Sequence, residues 1–175
     1  MSINLNGLFI GIVVDNNDPK KLGRVKIRVP NVTGNINVDD LPWAEPNFPY
    51  AYNKQSMFFV PEKEALVSVM FLNGSPYKPV YLGSIHRENE NVVPSQIDDD
   101  SYPERKIIKT QSGYIMFHDV DGEERIEIKH KSGSEIIFTN DGDIIIHAAR
   151  KIIGMSDEKI YLNPSNKYNA TPLED

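Results

Sequence analysis

An eight-residue repeat of isoleucine constrains this chain more than any other feature of its sequence. The first register of the repeat holds Ile128, Ile136, Ile144, Ile152 and Ile160. The second register lies two residues further on and holds His130, Phe138, Ile146, Gly154 and Leu162. Turn-forming residues such as Asn140-Asp141-Gly142 separate the units, so each unit is predicted to be a short strand followed by a tight turn.

Strands of this kind cannot bury their own side chains. The neighbouring positions Ile137, Ile145, Ile153 and Tyr161 are apolar too, so a single chain would expose isoleucines and open strand edges to water. Several identical chains wound together, each supplying one face of a β-prism, would cover both. A second small β-sheet domain packed on the first within a monomer stays open as the alternative, although it does not account for five units on one spacing.

β-Branched residues dominate the region that contains the repeat. Residues 104–163 hold 13 Ile but only one Leu and two Ala, so the good helix formers are missing. No stretch of the chain carries an apolar stripe at i, i+3, i+4 and i+7 over three helical turns. We therefore predict an all-β protein.

Charge and proline content divide the chain into two parts. Residues 1–88 carry 9 Lys/Arg and 8 Asp/Glu, a net charge of +1, whereas residues 89–175 carry 10 and 17, a net charge of −7. Ten of the 12 prolines lie at or before Pro103, and the stretch between the parts is polar and acidic. The predicted organisation is a first domain at 1–87, a linker at 88–104, a stem at 105–163 and a C-terminal tail or tip at 164–175.

Short strands and turns fill the first part. Four strands are predicted at 8–14, 24–29, 65–71 and 79–84, and one irregular strand near Phe58-Phe59-Val60. Asn16-Asn17-Asp18-Pro19 and Asn73-Gly74-Ser75 are strong turn signals. Four or five strands in fewer than 90 residues favour a five-stranded closed barrel, which leaves no exposed sheet edge.

Five blocks of this part follow one another in the order of a known family. They are Gly11-x-Val13, Asp18-Pro19-x-x-Leu22-Gly23-Arg24-Val25, Leu41-Pro42-Trp43-Ala44-x-Pro46, Val67-x-Val69-x-Phe71-x-x-Gly74 and Pro79-Val80-x-Leu82-Gly83. Residues 7–85 thereby resemble the N-terminal OB-fold domain of central spike proteins from contractile injection machines. That family includes the baseplate assembly V-type proteins of phages and the valine-glycine repeat proteins of type VI secretion.

Physical roles can be assigned to several of these motif positions. Asp18-Pro19 pre-sets a turn between the first two strands, and Gly23 is expected to need a positive φ or a close backbone approach. Arg24 is expected to pair with Asp18 or a loop carbonyl, with a partner contact as the alternative. Trp43, the single tryptophan, is interpreted as a lid over one barrel mouth, and stacking on a ligand stays open.

The resemblance also gives an expectation for the stem. Members of the family carry an intertwined trimeric β-helix after the OB domain, often with an octad of the type Val-x-Gly, and Ile152-Ile153-Gly154-Met155 is the nearest approach to it here. Some spikes bind iron through a His-x-His pair near the tip. This sequence has no such pair, so no tip metal is carried over, and a separate tip protein becomes plausible. A threefold cluster of His130 on the axis stays open beside a solvated histidine.

The sequence contains no convincing catalytic or metal-binding pattern. Glu62 and Glu64 are interpreted as surface carboxylates, Asp98-Asp99-Asp100 as a solvated linker run, and Asp119–Glu124 as a hairpin turn rather than a calcium loop. The chain has no cysteine, which excludes disulfides and thiolate sites. We expect no catalytic residue, no cofactor and no metal. The linker is too short for the peptidoglycan-cleaving domain that some relatives carry.

The sequence therefore predicts a non-enzymatic homotrimeric spike of a phage or phage-tail-like contractile baseplate. The resemblance implies that it docks on a baseplate hub through its OB collar, plugs the tube, touches the target cell envelope transiently, and is assembled in the host cytoplasm. No secretory signal or membrane span is visible. Two alternatives stay open: a receptor- or glycan-binding tail fibre, and an OB-fold module for nucleic acid, against which the net charge of −6 argues.

Overall fold

The computed structural model describes residues 4–88, 92–158 and 160. The chain divides into two compact units, Met1–Val92 and Val93–Asp175, and each has its own β-sheet. The strands are β1 (Phe9–Asp15), β2 (Val25–Arg28), β3 (Trp43–Pro46), β4 (Ala51–Tyr52), β5 (Gln55–Ser56), β6 (Leu66–Phe71), β7 (Pro79–Ser84), β8 (Arg105–Lys109), β9 (Gly113–His118), β10 (Arg125–His130), β11 (Glu135–Phe138) and β12 (Ile144–His147).

Helical structure in the described residues is limited to single turns. The α-helix α1 (Pro30–Thr33) begins with a proline, which suits the first helical position, and two 3₁₀ turns lie at Val38–Asp40 and Leu72–Gly74. A four-residue helix is the longest among these residues, so none of them forms a helix that could span a bilayer.

The first unit is a closed barrel in the order β1-β2-β3-β7-β6. All neighbouring pairs are antiparallel except β3 and β7, which are parallel. Alternate side chains point inward, and Val13, Val25, Val67 and Val69 are almost completely buried. Full burial of a valine contributes roughly 1.5–3 kcal/mol, so these positions account for much of the stability of the barrel. An all-β fold with a five-stranded N-terminal barrel is thus confirmed.

One barrel strand differs from the sequence-based prediction. The chain near Phe58-Phe59-Val60 forms no strand, and the barrel is completed instead by β3, Trp43–Pro46. Pro42 and Pro46 lie at the two ends of this segment, and prolines argue against a strand when only the sequence pattern is considered. A short strand tolerates them because β3 pairs with β2 only through Trp43 and Ala44.

The second unit is an antiparallel meander in the order β12-β11-β10-β9-β8. Its last three strands follow the predicted repeat, since Ile128 pairs with Ile136 and Ile136 pairs with Ile146. Tight turns separate them, with positive φ at Gly133 and Gly142. All of these strands pair within one chain, so the intertwined β-helix stays a prediction. Ile152, Gly154 and Ile160 lie outside the strands, and Leu162 and the predicted tail at 164–175 lie outside the described residues.

Candidate assembly surfaces

The first candidate surface is one whole face of the second sheet. Strand alternation and the pairing register place nine apolar side chains on the same side. This apolar face consists of Ile108, Ile115, Phe117, Ile126, Ile128, Ile136, Phe138, Ile144 and Ile146. All nine are exposed, from 36% for Ile136 to 62% for Ile144. A continuous apolar area of this kind marks an interaction surface in a stable protein.

Five residues of the predicted stem register belong to this face. The eight-residue repeat predicted that Ile128, Ile136, Phe138, Ile144 and Ile146 belong together, and the structure brings them together on adjacent strands. The repeat missed Ile108, Ile115, Phe117 and Ile126, which do not lie on the eight-residue spacing. Simple alternation within β8, β9 and β10 was the signal that could have found them.

The opposite face of the sheet carries charged side chains that pair with one another, beside apolar residues such as Ile137 and Ile145. Tyr114 Oη donates a hydrogen bond to Glu127 Oε1, and Lys129 Nζ lies 2.6 Å from Glu135 Oε2. The Lys129 ammonium lowers the pKa of the Glu135 carboxyl through this hydrogen bond. Burial and the bond to Glu127 raise the pKa of Tyr114 to about 12. These charged groups therefore already have partners on this face.

Residues of the predicted linker pair with the edge of the same sheet. Asp98 accepts hydrogen bonds from Ser101 and Arg105, so it is not merely a solvated carboxylate as predicted. Arg105 Nε in turn donates to Nδ1 of the buried His118 at 3.0 Å. His118 Nε2 has no hydrogen-bond partner among the described residues. The Asp119–Glu124 segment forms the expected turn between β9 and β10, with Gly122 at a φ of 78°.

The motif residues of the barrel gather around the loop between β1 and β2. The Asp18 carboxylate accepts hydrogen bonds from the backbone N–H groups of Lys20 and Leu22 and from the Arg24 guanidinium. The predicted Asp18–Arg24 pair is therefore present. Gly23 has a φ of 79°, and its carbonyl accepts the Tyr81 hydroxyl at 2.6 Å, where burial raises the pKa of Tyr81 to about 12.

Trp43 lies on the outer wall of the barrel rather than over its mouth. It pairs with Lys26, while its neighbour Ala44 points into the core. The Arg24 guanidinium and the Lys26 ammonium lie 5.5 and 5.3 Å from the centre of its ring, within cation–π range. Trp43 thus connects the Asp18–Arg24 loop to β3, and the predicted role as a lid is not observed.

The remaining motif positions shape strand ends and close approaches. A Cβ atom on Gly11 would lie 2.3 Å from Ile27 Cγ2, so only glycine fits there. Pro46 ends β3, Pro79 begins β7, Gly83 lies within β7, and Gly74 ends the 3₁₀ turn before it. Pro19 and Leu22 belong to the β1–β2 loop. These residues serve the fold and form no reactive centre.

A second candidate surface projects from the barrel between β3 and β6. Strands β4 and β5 form a hairpin within residues 47–61, a segment named here the aromatic hairpin. Its exposed apolar side chains are Tyr50, Tyr52, Met57, Phe58 and Phe59. Sequence reasoning missed this surface because it took residues 31–63 to be a long loop with one irregular strand.

Metal binding in the described part of the chain would require several ligand side chains close together. Within residues 4–88, 92–158 and 160, no three His, Asp or Glu side chains cluster closely enough to hold a metal ion. The apolar face and the aromatic hairpin are the candidate sites developed below, and both suit assembly with other protein chains.

Comparison with known proteins agrees with the barrel geometry. Residues 9–86 match the family described as the type VI secretion system/phage-baseplate injector OB domain. No curated protein matches the chain. The match begins at the first residue of β1 and ends two residues after β7, so it covers the barrel and stops before the second unit.

Proposed function

We propose that this chain is the central spike of a contractile baseplate, acting as a homotrimer without enzymatic activity, because its barrel matches the family described as the type VI secretion system/phage-baseplate injector OB domain. The observation that carries the proposal is the apolar face of the second sheet. Its nine exposed side chains on five strands have no cover within the second sheet.

Identical chains provide the simplest cover. Most homo-oligomers have closed rotational symmetry, and an apolar face is best buried against copies of itself. Three copies would each supply one side of a triangular prism, with the isoleucines of β10, β11 and β12 inside. The charged face, with Glu127, Lys129 and Glu135, would then line the outside of the shaft and keep it in water.

The end of the meander supports an extension between chains. β12 pairs on one side with β11, and its other edge has no strand partner in the described residues. Residues 144–146 on that edge are all isoleucine, with neither charge nor proline to block pairing. Ile152, Gly154 and Ile160, which form no strand in the single chain, would continue the stem as strands intertwined between copies.

In this role the molecule works mechanically. Three barrels form a collar that docks on the tubular hub and plugs the tube before firing. The three stems form a rigid needle that concentrates the force of the contracting sheath on the target envelope. A separate protein would cap the tip. The assembly takes place in the host cytoplasm, and the product resides in a virion or phage-tail-like particle.

Electron cryo-microscopy of the particle tests this function. The account predicts three copies of the chain on the tail axis, directly below the tube, with a central threefold needle. Gold-labelled antibody should mark the same position and no other. Copies found along peripheral fibres would favour the receptor-binding alternative and contradict the spike.

A further inference from the structure

The aromatic hairpin is a second exposed apolar surface, and the barrel itself gives no reason for it. Tyr52 is 72% exposed, and Tyr50, Met57, Phe58 and Phe59 are exposed as well. Loops usually turn polar side chains to water. A run of exposed aromatic side chains on one short hairpin therefore indicates binding, since tyrosines are enriched among the residues that dominate binding energy at interfaces.

The hairpin is held in a defined shape. Its turn residues Asn53 and Lys54 have φ values of 28° and 68°, as a tight two-residue hairpin turn requires. The Tyr50 hydroxyl donates to Gln55 Oε1 at 2.7 Å, and Met57 N donates to Tyr50 O at 3.0 Å. A fixed shape lowers the entropy lost on binding, so the exposed side chains are pre-arranged for a partner.

Packing against the barrel fixes the base of the hairpin. The Phe48 ring lies 5.3 Å from the Phe58 ring and 6.3 Å from the Tyr81 ring, measured between centroids. Asn47 N also donates to Tyr81 O at 2.9 Å. The base of the hairpin is therefore attached to β7 of the barrel by a ring contact and a backbone hydrogen bond.

Two recesses are lined in part by residues of the hairpin. One of about 280 Å³ is lined mainly by apolar groups, among them Met57, Phe59 and Val60. The other, of about 550 Å³, lies beside Tyr52 and Phe58 and has Lys21 and Lys54 in its lining. Both are large enough to receive side chains of a protein partner.

Charge narrows the choice of partner. Residues 47–61 contain Lys54 and no Asp or Glu, and the lining of the larger recess adds Lys21 and no carboxylate. A complementary surface would present apolar side chains surrounded by carboxylates. Two lysines are too few to follow the backbone of a nucleic acid, which needs a groove of cations.

We propose that the aromatic hairpin is the element by which the barrel docks on the tubular hub of the baseplate. The hub would present an apolar surface surrounded by carboxylates. This inference rests on the proposed function and adds the docking element to it. A competing site exists on the wall of the barrel, where Ile10, Ile12, Met70 and Leu82 are exposed. That area is aliphatic and lies on regular strands, whereas the hairpin projects and carries aromatic and cationic groups.

The test measures incorporation of variants into particles. Spike-deficient particles are complemented with the full-length chain, and copies per particle are counted by quantitative mass spectrometry. Tyr52→Ala combined with Phe59→Ala should lower incorporation at least about tenfold, as expected for loss of central aromatic contacts. Tyr77→Ala, at a tyrosine that is 81% exposed outside the hairpin, is the matched control and should incorporate like wild type.

Further arms separate the charge and the competing wall. Lys54→Glu should lower incorporation, and Lys78→Glu should not. A photo-crosslinker at position 52 should react with a tail protein next to Asp or Glu residues. Full incorporation of the hairpin variants overturns the inference. So does a result in which Ile12→Ser is the only variant that loses incorporation. A crosslink from position 52 to a second copy of this chain overturns it as well.

The outcomes distinguish the inference from the function on which it rests. The mass of each variant in solution is measured first. An oligomeric state equal to that of wild type shows that folding and stem assembly are intact. Absence of the wild-type chain from particles contradicts the proposed function itself. Binding of labelled single-stranded DNA by wild type, lost on Tyr52→Ala, would replace the protein partner with nucleic acid and overturn the inference.

Discussion

A single carboxylate organises the loop that carries the most specific motif of the barrel. Asp18 accepts hydrogen bonds from the loop backbone and from Arg24, and Arg24 also lies against Trp43. The sequence named Asp18 as one of two candidate partners of Arg24, because a turn brings residues so close in the chain together, and the structure shows this pair. It was not sufficient to place Trp43, because the strand that holds it is short and lies between prolines.

Removal of the Asp18 charge should weaken the barrel in a pH-dependent way. The Arg24 hydrogen bond holds the pKa of Asp18 below its ordinary value of 3.8 in the folded state. A depressed pKa contributes stability that is fully present above pH 3.8 and is lost as the pH falls through the folded-state value. Asp18→Asn should therefore lower the thermal midpoint of the barrel at pH 7.

The difference in thermal midpoint between Asp18→Asn and wild type should become smaller at acidic pH. Thermal unfolding followed by circular dichroism at pH 7 and at progressively lower pH measures both effects. Asp40→Asn removes an exposed carboxylate of the same unit and is the control, with little change expected. A difference between Asp18→Asn and wild type that stayed constant down to the acid limit would contradict the role of the ion pair.

At the scale of elements, periodicity was the most informative part of the sequence. It correctly grouped Ile128, Ile136 and Ile144 on one face, because paired residues share a face and the partners across both turns are an even number of residues apart. It could not say which strands pair, since antiparallel hairpins within a chain and intertwined strands between chains have the same side-chain pattern. It also gave no sign of the aromatic hairpin, whose strands have two residues each.

Adjacent residues of β12 offer a matched test of the apolar face. Ile146 belongs to the apolar face and Ile145 to the opposite face, although both are exposed in the single chain. Ile146→Asp would place a carboxylate inside the proposed prism, which should destabilise the assembly by at least about 3 kcal/mol per chain. Ile145→Asp should leave the assembly largely intact.

Sedimentation equilibrium of the two variants over a range of concentrations measures this difference. Ile146→Asp should shift the population toward monomer at concentrations where Ile145→Asp remains assembled. Equal behaviour of the two variants would show that the apolar face is not the surface that joins the chains.

At the scale of the whole molecule, charge and stability fit a shaft used outside a cell. The formal charge of −6 is concentrated in residues 89–175, so three copies would give the stem a strongly acidic exterior around an apolar interior. The chain has no cysteine, so the stability of the proposed shaft would come from packing and hydrogen-bonded strands rather than from disulfides.

The mass of the full-length protein in solution tests the central claim most directly. Light scattering or sedimentation equilibrium, with and without denaturant, is sufficient. The account predicts a stable assembly of three chains of 19.8 kDa that falls to the mass of one chain only when the protein unfolds. A well-behaved folded monomer, with its apolar sheet face in water, would contradict it.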